Sequence, residues 1–263
     1  MAKRRIFTAP SAQVVEISTG TARLEKVAGE PDSYVLHVND VPSSSITLSD
    51  PARLDFEYLD WMARIIEATL PAGTVRAIHI GAAGCALARA LDARRPGSRQ
   101  TAIDIDPLLI DYVRTWFDLP RSPALALRAG DGAEEIAGFR DDTADAIVRD
   151  AFSHDSVPTA LQTAEFYAEC ARVLKPGGLF LANVPDSGDH RVLRDELDAA
   201  ASAFPHLAAA SESGVLKGRR RGNVVVAASA RPLPDAALDR VLRTAPTMAA
   251  WLTGETLAAR LGR

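Results

Sequence analysis

Val75-Arg-Ala-Ile-His-Ile80 runs directly into Gly81-Ala-Ala-Gly84-Cys-Ala. The first half, bounded by turn residues, reads as a short buried strand. In the second half, small residues let a backbone approach a ligand closely, and a helix starting there presents unpaired N–H groups. A tight turn alone would have the same composition. Downstream the rhythm repeats. Strands are expected at Thr101–Ile105, Ala124–Arg128, Ala144–Val148 and Gly178–Val184, and helices at 84–94, 107–117, 132–138, 160–174 and 189–203. Strands alternating with helices predict a parallel sheet covered on both faces.

The ending breaks this rhythm. His206–Ala210 and Gly222–Ser229 read as strands joined by Gly214-Val-Leu-Lys-Gly-Arg-Arg-Arg-Gly222, with no crossover helix. They should therefore pair antiparallel. A doubly wound, seven-stranded α/β sheet with an antiparallel last strand is the pattern of nucleoside-sulfonium transferases, and is less typical of nicotinamide enzymes. Upstream, the alternating runs Gln13–Ser18, Ala22–Val27 and Tyr34–Val38 predict a small antiparallel β-domain. Asp50 and Pro51 suit the start of a helix in which Leu54, Tyr58, Trp61, Ile65 and Ile66 recur at helical spacing. The expected organisation is an N-terminal β-domain (1–53), a linking helix (54–73), a nucleoside-binding catalytic domain (74–230) and a C-terminal helical extension (231–263). The extension, with Leu238, Met248, Trp251 and Leu257, should pack on the domain and offer a homodimer contact.

Composition narrows the function. The chain has 263 residues, 47% of them apolar, which is enough for a sizeable core and excludes disorder as the main state. Its net charge of −4 argues against a nucleic-acid binder. The run Lys217-Gly-Arg-Arg-Arg221 reads as a solvated hairpin turn. Neither a signal peptide nor a membrane-spanning run is evident, so a cytoplasmic protein without membrane association is expected. Cys85 and Cys170 fall in helical segments and are expected to be reduced and buried. Nothing in the cysteine and histidine spacing suggests a metal site.

Three acids end strands on one edge of the expected sheet. Asp104 closes the second parallel strand, where a carboxylate can accept ribose hydroxyls. Asp131, in Gly130-Asp131-Gly132, follows the third and can accept from an adenine amino group. Asp150 ends the fourth. Each singly also fits a helix cap or a solvated loop acid; together they mark the carboxyl edge where open α/β folds bind ligands.

The succession His79-Ile-Gly81-Ala-Ala-Gly84, Arg95-Pro-Gly-Ser-Arg-Gln-Thr-Ala-Ile-Asp-Ile-Asp106, Gly130-Asp131-Gly132 and Glu165-Phe-Tyr…Arg172-Val-Leu-Lys-Pro-Gly-Gly resembles the spermidine synthase family of the class I S-adenosylmethionine (SAM)-dependent transferase superfold. Leu54-Asp-Phe-Glu-Tyr58-Leu resembles that family's interdomain segment. The resemblance covers about residues 15–230 and is nearest to divergent actinobacterial members. It implies that Gly81, Ala82, Ala83 and Gly84 face the donor, SAM or decarboxylated SAM, used as co-substrate without a metal. It implies that Asp104 and Ile105 meet the ribose side and that Asp131 and Gly132 meet the adenine. Asp150 would be the catalytic acid that orients and deprotonates the attacking amine, and Tyr58 would position that amine. Phe152, Ser153, His154 and Asp155 would line the site of a small-molecule acceptor.

The departures bear on the reaction. Gly84 stands where the family carries an Asp for the donor's amino group, and Ser153 where it carries a second Asp for the far amine of a diamine. Ser43 or Ser44 replaces a glutamine of the N-terminal domain, and Leu59 a histidine. Each charge-assisted bond is worth roughly 1.5–3 kcal/mol. Two lost carboxylates therefore weaken binding by about two to four decades, unless Asp155 or Glu57 substitutes. The expectation is a transferase leaning toward SAM with a non-polyamine acceptor. The alternatives are polyamine aminopropyl transfer and an inactive nucleoside-binding scaffold.

Overall fold

The computed structural model describes residues 13–153 and 156–262. Four strands, β1 (Val15–Ile17), β2 (Gly20–Lys26), β3 (Ser33–Val38) and β4 (Val41–Thr47), form an antiparallel meander. The strand β4, Val-Pro-Ser-Ser-Ser-Ile-Thr, is an addition to the three expected. Its serines gave no apolar alternation to read, yet Ser44 and Ser45 are buried.

Helix α1 (Glu57–Thr69) then leads into the main sheet. Asp50 does not cap it. That carboxylate accepts from the Ala52 amide in a turn, and α1 starts only after Phe56. The intervening residues are held by the small sheet instead: Asp55 accepts from Ser45 Oγ at 2.6 Å, and Arg53 pairs with Glu30.

The main sheet contains β5 (Arg76–Ile80), β6 (Arg99–Asp104), β7 (Leu125–Ala129), β8 (Ala144–Arg149), β9 (Leu174–Asp186), β10 (His206–Ser211), β11 (Gly222–Ser229) and β12 (Ala250–Thr253). Their order is β12-β10-β11-β9-β8-β5-β6-β7. The strands β5 to β9 are parallel, and β11 pairs antiparallel with both β9 and β10, as the missing crossover requires. Eight strands stand where seven were expected. The C-terminal stretch is not one helical extension: it divides into α8 (Asp235–Arg243), β12 and α9 (Gly254–Arg260). Pro246 interrupts it, and the Trp251 indole donates to Asp235, turning the chain back onto β10.

Helices α2 (Ala86–Arg94), α3 (Pro107–Trp116), α4 (Gly132–Ala137), α5 (Ala164–Val173) and α6 (Arg191–Ala201) cover the faces, and α7 (Ser213–Leu216) is one turn before β11. Two apolar clusters result, one on each face. Ala146, Val148, Leu179, Leu181 and Val225 pack toward α1 and the small sheet. Ile147, Phe180, Ala182, Val184 and Val224 pack toward α5 and α6. This alternation places Asp150, Asn183 and Asn223 in register with the α1 face.

On the other face, Arg149 and Glu196 form an ion pair with both side chains fully buried, at 2.8 Å. Arg149 also donates to the carbonyls of Leu161 (2.9 Å) and Asn183 (3.4 Å). Glu196 accepts in addition from the Tyr167 hydroxyl and the Gln162 amide. Breaking such a pair strands a charge away from water. Glu196→Ala should therefore cost about 3–5 kcal/mol in urea unfolding. Replacing both partners with Met and Leu should cost less than the single change.

Candidate active site at the carboxyl edge of the sheet

Asp150 is the first residue beyond the central strand β8. Its amide donates to the Ile80 carbonyl at 2.8 Å, which carries the sheet register one step past the strand. Gly81 lies beside it with φ +78°, and a Cβ there would sit 2.4 Å from Ala151 Cα and 2.5 Å from the Asp150 carbonyl oxygen. Only glycine lets the β5–α2 loop lie against this segment. Ala83 and Cys85 take positive φ in the same loop, so non-glycine strain gathers beside Asp150.

The Asp150 carboxyl is held on both oxygens. Oδ2 accepts from the Tyr58 hydroxyl and Oδ1 from Asn183 Nδ2, each at 3.0 Å. Burial nonetheless pushes its pKa up to about 6, outweighing those bonds and the charge of Arg149. Burial, then the charges of Asp150 and Glu57, keep the Tyr58 phenol well above its ordinary value, so it remains a donor. The Asn183 amide has one sensible orientation, NH₂ toward the carboxylate, and Oδ1 is then buried without a partner among the described residues. Sequence reading missed Asn183. Its signal was one amide inside the apolar run Gly178–Val184.

The residues expected on the donor side lie along the same edge. Asp104 Oδ2 accepts from the amides of Ala82 (3.3 Å) and Ala83 (3.1 Å), and Oδ1 from that of Asp106. Two loop amides therefore already face a carboxylate, an arrangement hostile to a phosphate and suited to a nucleoside without one. Burial pushes Asp104 upward against those bonds. Ile105 beside it is 61% exposed, an apolar surface open to a base or ribose. Asp131 caps α4, its Oδ1 accepting from Ala133 and Glu134. A Cβ on Gly132 would stand 2.3 Å from Ile80 Cγ2, so glycine holds the start of α4 against β5. Phe152 is half exposed, and Ser153 bridges to Ser156 through its backbone. His154 and Asp155 lie outside the described residues.

Gly84 is accounted for by β4. Its amide donates to Ser44 Oγ at 3.0 Å, and a Cβ would sit 2.8 Å from Ser44 Cβ and 3.3 Å from Phe117. The serine that replaces a larger polar residue thus fills the place of a side chain at position 84. Asp106, 1% exposed, ties the small sheet on as well, accepting from the Thr19 amide and hydroxyl while capping α3 at Leu109.

A cavity of about 30 Å³ runs under the loop to Asp150, bounded by Ser44, Leu59, Gly81, Cys85 and Val148. Its described lining carries no Lys or Arg. The Cys85 thiol there is pushed up to about 12 by burial and is no nucleophile. His79, held near 4 by burial, stays neutral against Gln100. A larger cavity, about 470 Å³, lies at the amino edge of the sheet among Leu197, Phe204, Leu257 and Leu261. Its lining is mostly apolar, with His206, Asp235 and Thr253 at its margin, and it is remote from Asp104, Asp131 and Asp150, so residue chemistry rather than volume marks the site. Among the described residues no group of three or more His, Cys, Asp or Glu is placed to hold a metal ion, and no helix is long and apolar enough to cross a membrane.

A family model for the methyltransferase domain matches residues 78–182. A polyamine aminopropyltransferase of Neisseria meningitidis is 33% identical over 174 residues, which span 64% of this chain and 64% of that relative. The crystal structure of a probable spermidine synthase from Corynebacterium glutamicum is 32% identical, covers 95% of this chain and 94% of its own, and superposes with a TM-score of 0.89. The spermidine synthase of Thermotoga maritima, at 15% identity and a TM-score of 0.68, shares the fold over 95% of this chain and 87% of its own.

The packing at Gly84 generates a test. Gly84→Asp should lower stability by about 1–3 kcal/mol through overpacking. Adding Ser44→Gly, which clears the space, should recover most of it in thermal unfolding.

Proposed function

The chain belongs to the spermidine synthase-like family of methyltransferase-fold transferases, and from that premise we propose that it transfers an aminopropyl group from decarboxylated SAM to the nitrogen of an amine. The observation that carries this reading is the Asp150 carboxyl, withdrawn from water between Tyr58 and Asn183 at the end of the central strand. A donor that keeps its carboxylate would bring a second anion toward this acid. The decarboxylated donor avoids this repulsion. Sequence alone leaned toward SAM and a non-polyamine acceptor. The buried acid and the relatives named polyamine aminopropyltransferase favour the other alternative.

The residues present fit a nucleoside donor. Gly81 leaves the loop free of a side chain, Asp104 fixes that loop, Ile105 offers an apolar surface, and Asp131 keeps Oδ2 outside its helix cap. When bound, the donor supplies a sulfonium leaving group. The protein's part is to bring a neutral nitrogen into line and remove its proton. The Asp150 carboxylate accepts that proton as the N–C bond forms and the C–S bond breaks, the sulfur leaving as a neutral thioether. Tyr58 and Asn183 hold the carboxylate still, and their hydrogen bonds favour its charged form against burial.

The pH dependence has a definite sign. A base must be ionised to act, and Asp150 titrates at about 6. Thus kcat/KM should be full above that value and fall as the pH drops through it. Tyr58→Phe, which removes a bond to the charged form, should move this limb to higher pH. Asp150→Asn should lower kcat at least about a hundredfold while sparing nucleoside binding.

Thermal shift distinguishes the donors. A ligand at 100 times its Kd stabilises by about 2.7 kcal/mol. Decarboxylated SAM and methylthioadenosine should raise the midpoint. A shift confined to SAM and S-adenosylhomocysteine would instead establish methyl transfer.

A further inference from the structure

We propose that Trp61 is a positioning residue for the proton acceptor: the bond from its indole to the C-terminal segment fixes the rotation of α1, and with it the reach of Tyr58 to Asp150. This rests on Asp150 acting as the base and adds what holds its hydroxyl donor in place.

The first turn of α1 is placed by what its side chains touch. Phe56 at its N-cap carries no group to accept from the free amides. Tyr58 and Trp61 are three residues apart and share the buried face of the helix. The Tyr58 hydroxyl donates to Asp150 at 3.0 Å, and Trp61 Nε1 donates to the Thr247 carbonyl at 2.7 Å. Trp61 is 1% exposed, so its N–H depends on that partner.

Thr247 is itself fixed from several sides. The strand β10 runs antiparallel to β11, and β11 antiparallel to β9, so β10 ends at the same edge of the sheet as β8. Its last residue, Ser211, pairs with Ala250, the first of β12. The segment just before β12 therefore lies at the carboxyl edge, where Asp150 is. The Ala249 amide donates to the Leu242 carbonyl, closing this segment on the end of α8. Leu238, Leu242, Ala245 and Ala249 pack in the same apolar cluster as Trp61.

Apolar packing sets how close α1 lies to its neighbours but is not directional, whereas a hydrogen bond is. At the outer radius of a helix, about 6 Å, a rotation of about 10° moves an atom by about 1 Å. That displacement takes a hydroxyl at 3.0 Å out of bonding range. The bond at Asp150 therefore depends on the bond at Thr247, which joins residues 186 positions apart in the chain.

Trp61 carries no charge. The groups around Asp150 are Arg149 from β8, Asn183 from β9, Tyr58 with Glu57 beside it on α1, and the neutral Cys85 and His79 of the small cavity. Loss of the indole N–H alters none of these charges, so a change it causes in the titration of Asp150 reports geometry.

That titration separates positioning from a purely structural role. Its midpoint is read without substrate by carboxyl NMR of aspartate-labelled protein, the signal being the one absent from Asp150→Asn. Trp61→Phe should raise the midpoint by about 0.5 pH, part of the value of one hydrogen bond to the charged form. With decarboxylated SAM and diaminobutane, kcat/KM at the wild-type midpoint should fall about twofold. In a Tyr58→Phe background the same change should leave the midpoint where it is, because the bond it acts through is gone. Benzothienylalanine at position 61, which keeps the shape of indole and lacks the N–H, should reproduce Trp61→Phe with the packing intact. A midpoint unmoved by both replacements, or one that moves as far without the Tyr58 hydroxyl as with it, overturns this inference. A midpoint that moves as expected in an enzyme inert toward amines overturns amine transfer and leaves the coupling of Trp61 to Asp150 standing.

Discussion

A carboxyl group withdrawn from water at the end of the central strand sets the terms for its surroundings. Burial raises Asp150 to about 6, and it would stand higher still without the bonds and the charge that favour its ionised form. The fold supplies what keeps it usable from three directions. Tyr58 comes from α1, Asn183 from the neighbouring strand, and the charge of Arg149 from the preceding residue on the opposite face. Each is in place because a larger element is in place: α1 lies across the sheet, β9 is in register with β8, and Arg149 is itself paired by Glu196 on α6.

The small N-terminal sheet has a related task. Thr19 reaches Asp106 at the cap of α3, and Ser44 receives the Gly84 amide at the loop beside Asp150. Both bonds cross from the meander to the main sheet at the edge where the site lies. Hydrogen bonds from Leu109 and Thr19 hold the Asp106 carboxyl below its ordinary range despite its burial, which keeps it charged and the join intact. The meander thus closes one wall of the small cavity under the β5–α2 loop. The absence of a side chain at position 84 follows from that closure, since the space is already filled by Ser44 and Phe117.

Much of this was legible because apolar periodicity reports burial directly. The strands β5, β9 and the antiparallel β11 each carry an apolar run that a sheet buried on both faces tolerates, and glycines mark the turn beside Asp150. What escaped was carried by polar residues. The serines of β4 concealed a strand. Ala250-Trp-Leu-Thr was hidden in a stretch whose apolar spacing also suited a helix, and Asp50 bonded its own turn because Asp55 and Arg53 were claimed by the small sheet. The site divided in the same way. Asp150 and Tyr58 stood at recognisable places, whereas Asn183 and Asn223 become neighbours of Asp150 and Glu57 only through strand register. Register is a property of pairing between distant segments, and no single segment encodes it.

The central strand therefore joins two opposite demands in consecutive residues. Arg149 is buried with its partner and contributes to the fold only while Glu196 is present. Asp150 is buried with neutral donors and works against the fold whenever it is charged. A carboxyl raised from 3.8 to about 6 binds its proton more tightly in the native state than in the unfolded chain. Its contribution to stability is full below the unfolded value and is lost as the pH rises through about 6. The pH range in which Asp150 can act as a base is thus the range in which it destabilises the native state. A strand that ends in such a group needs anchoring just before it. Arg149, bonded to Glu196, to the Leu161 carbonyl and to the Asn183 carbonyl, fixes the backbone on either side of the acid without touching the acid itself. The two faces of β8 consequently divide the work: one holds the strand rigid so that the other can hold a buried charge at the carboxyl edge.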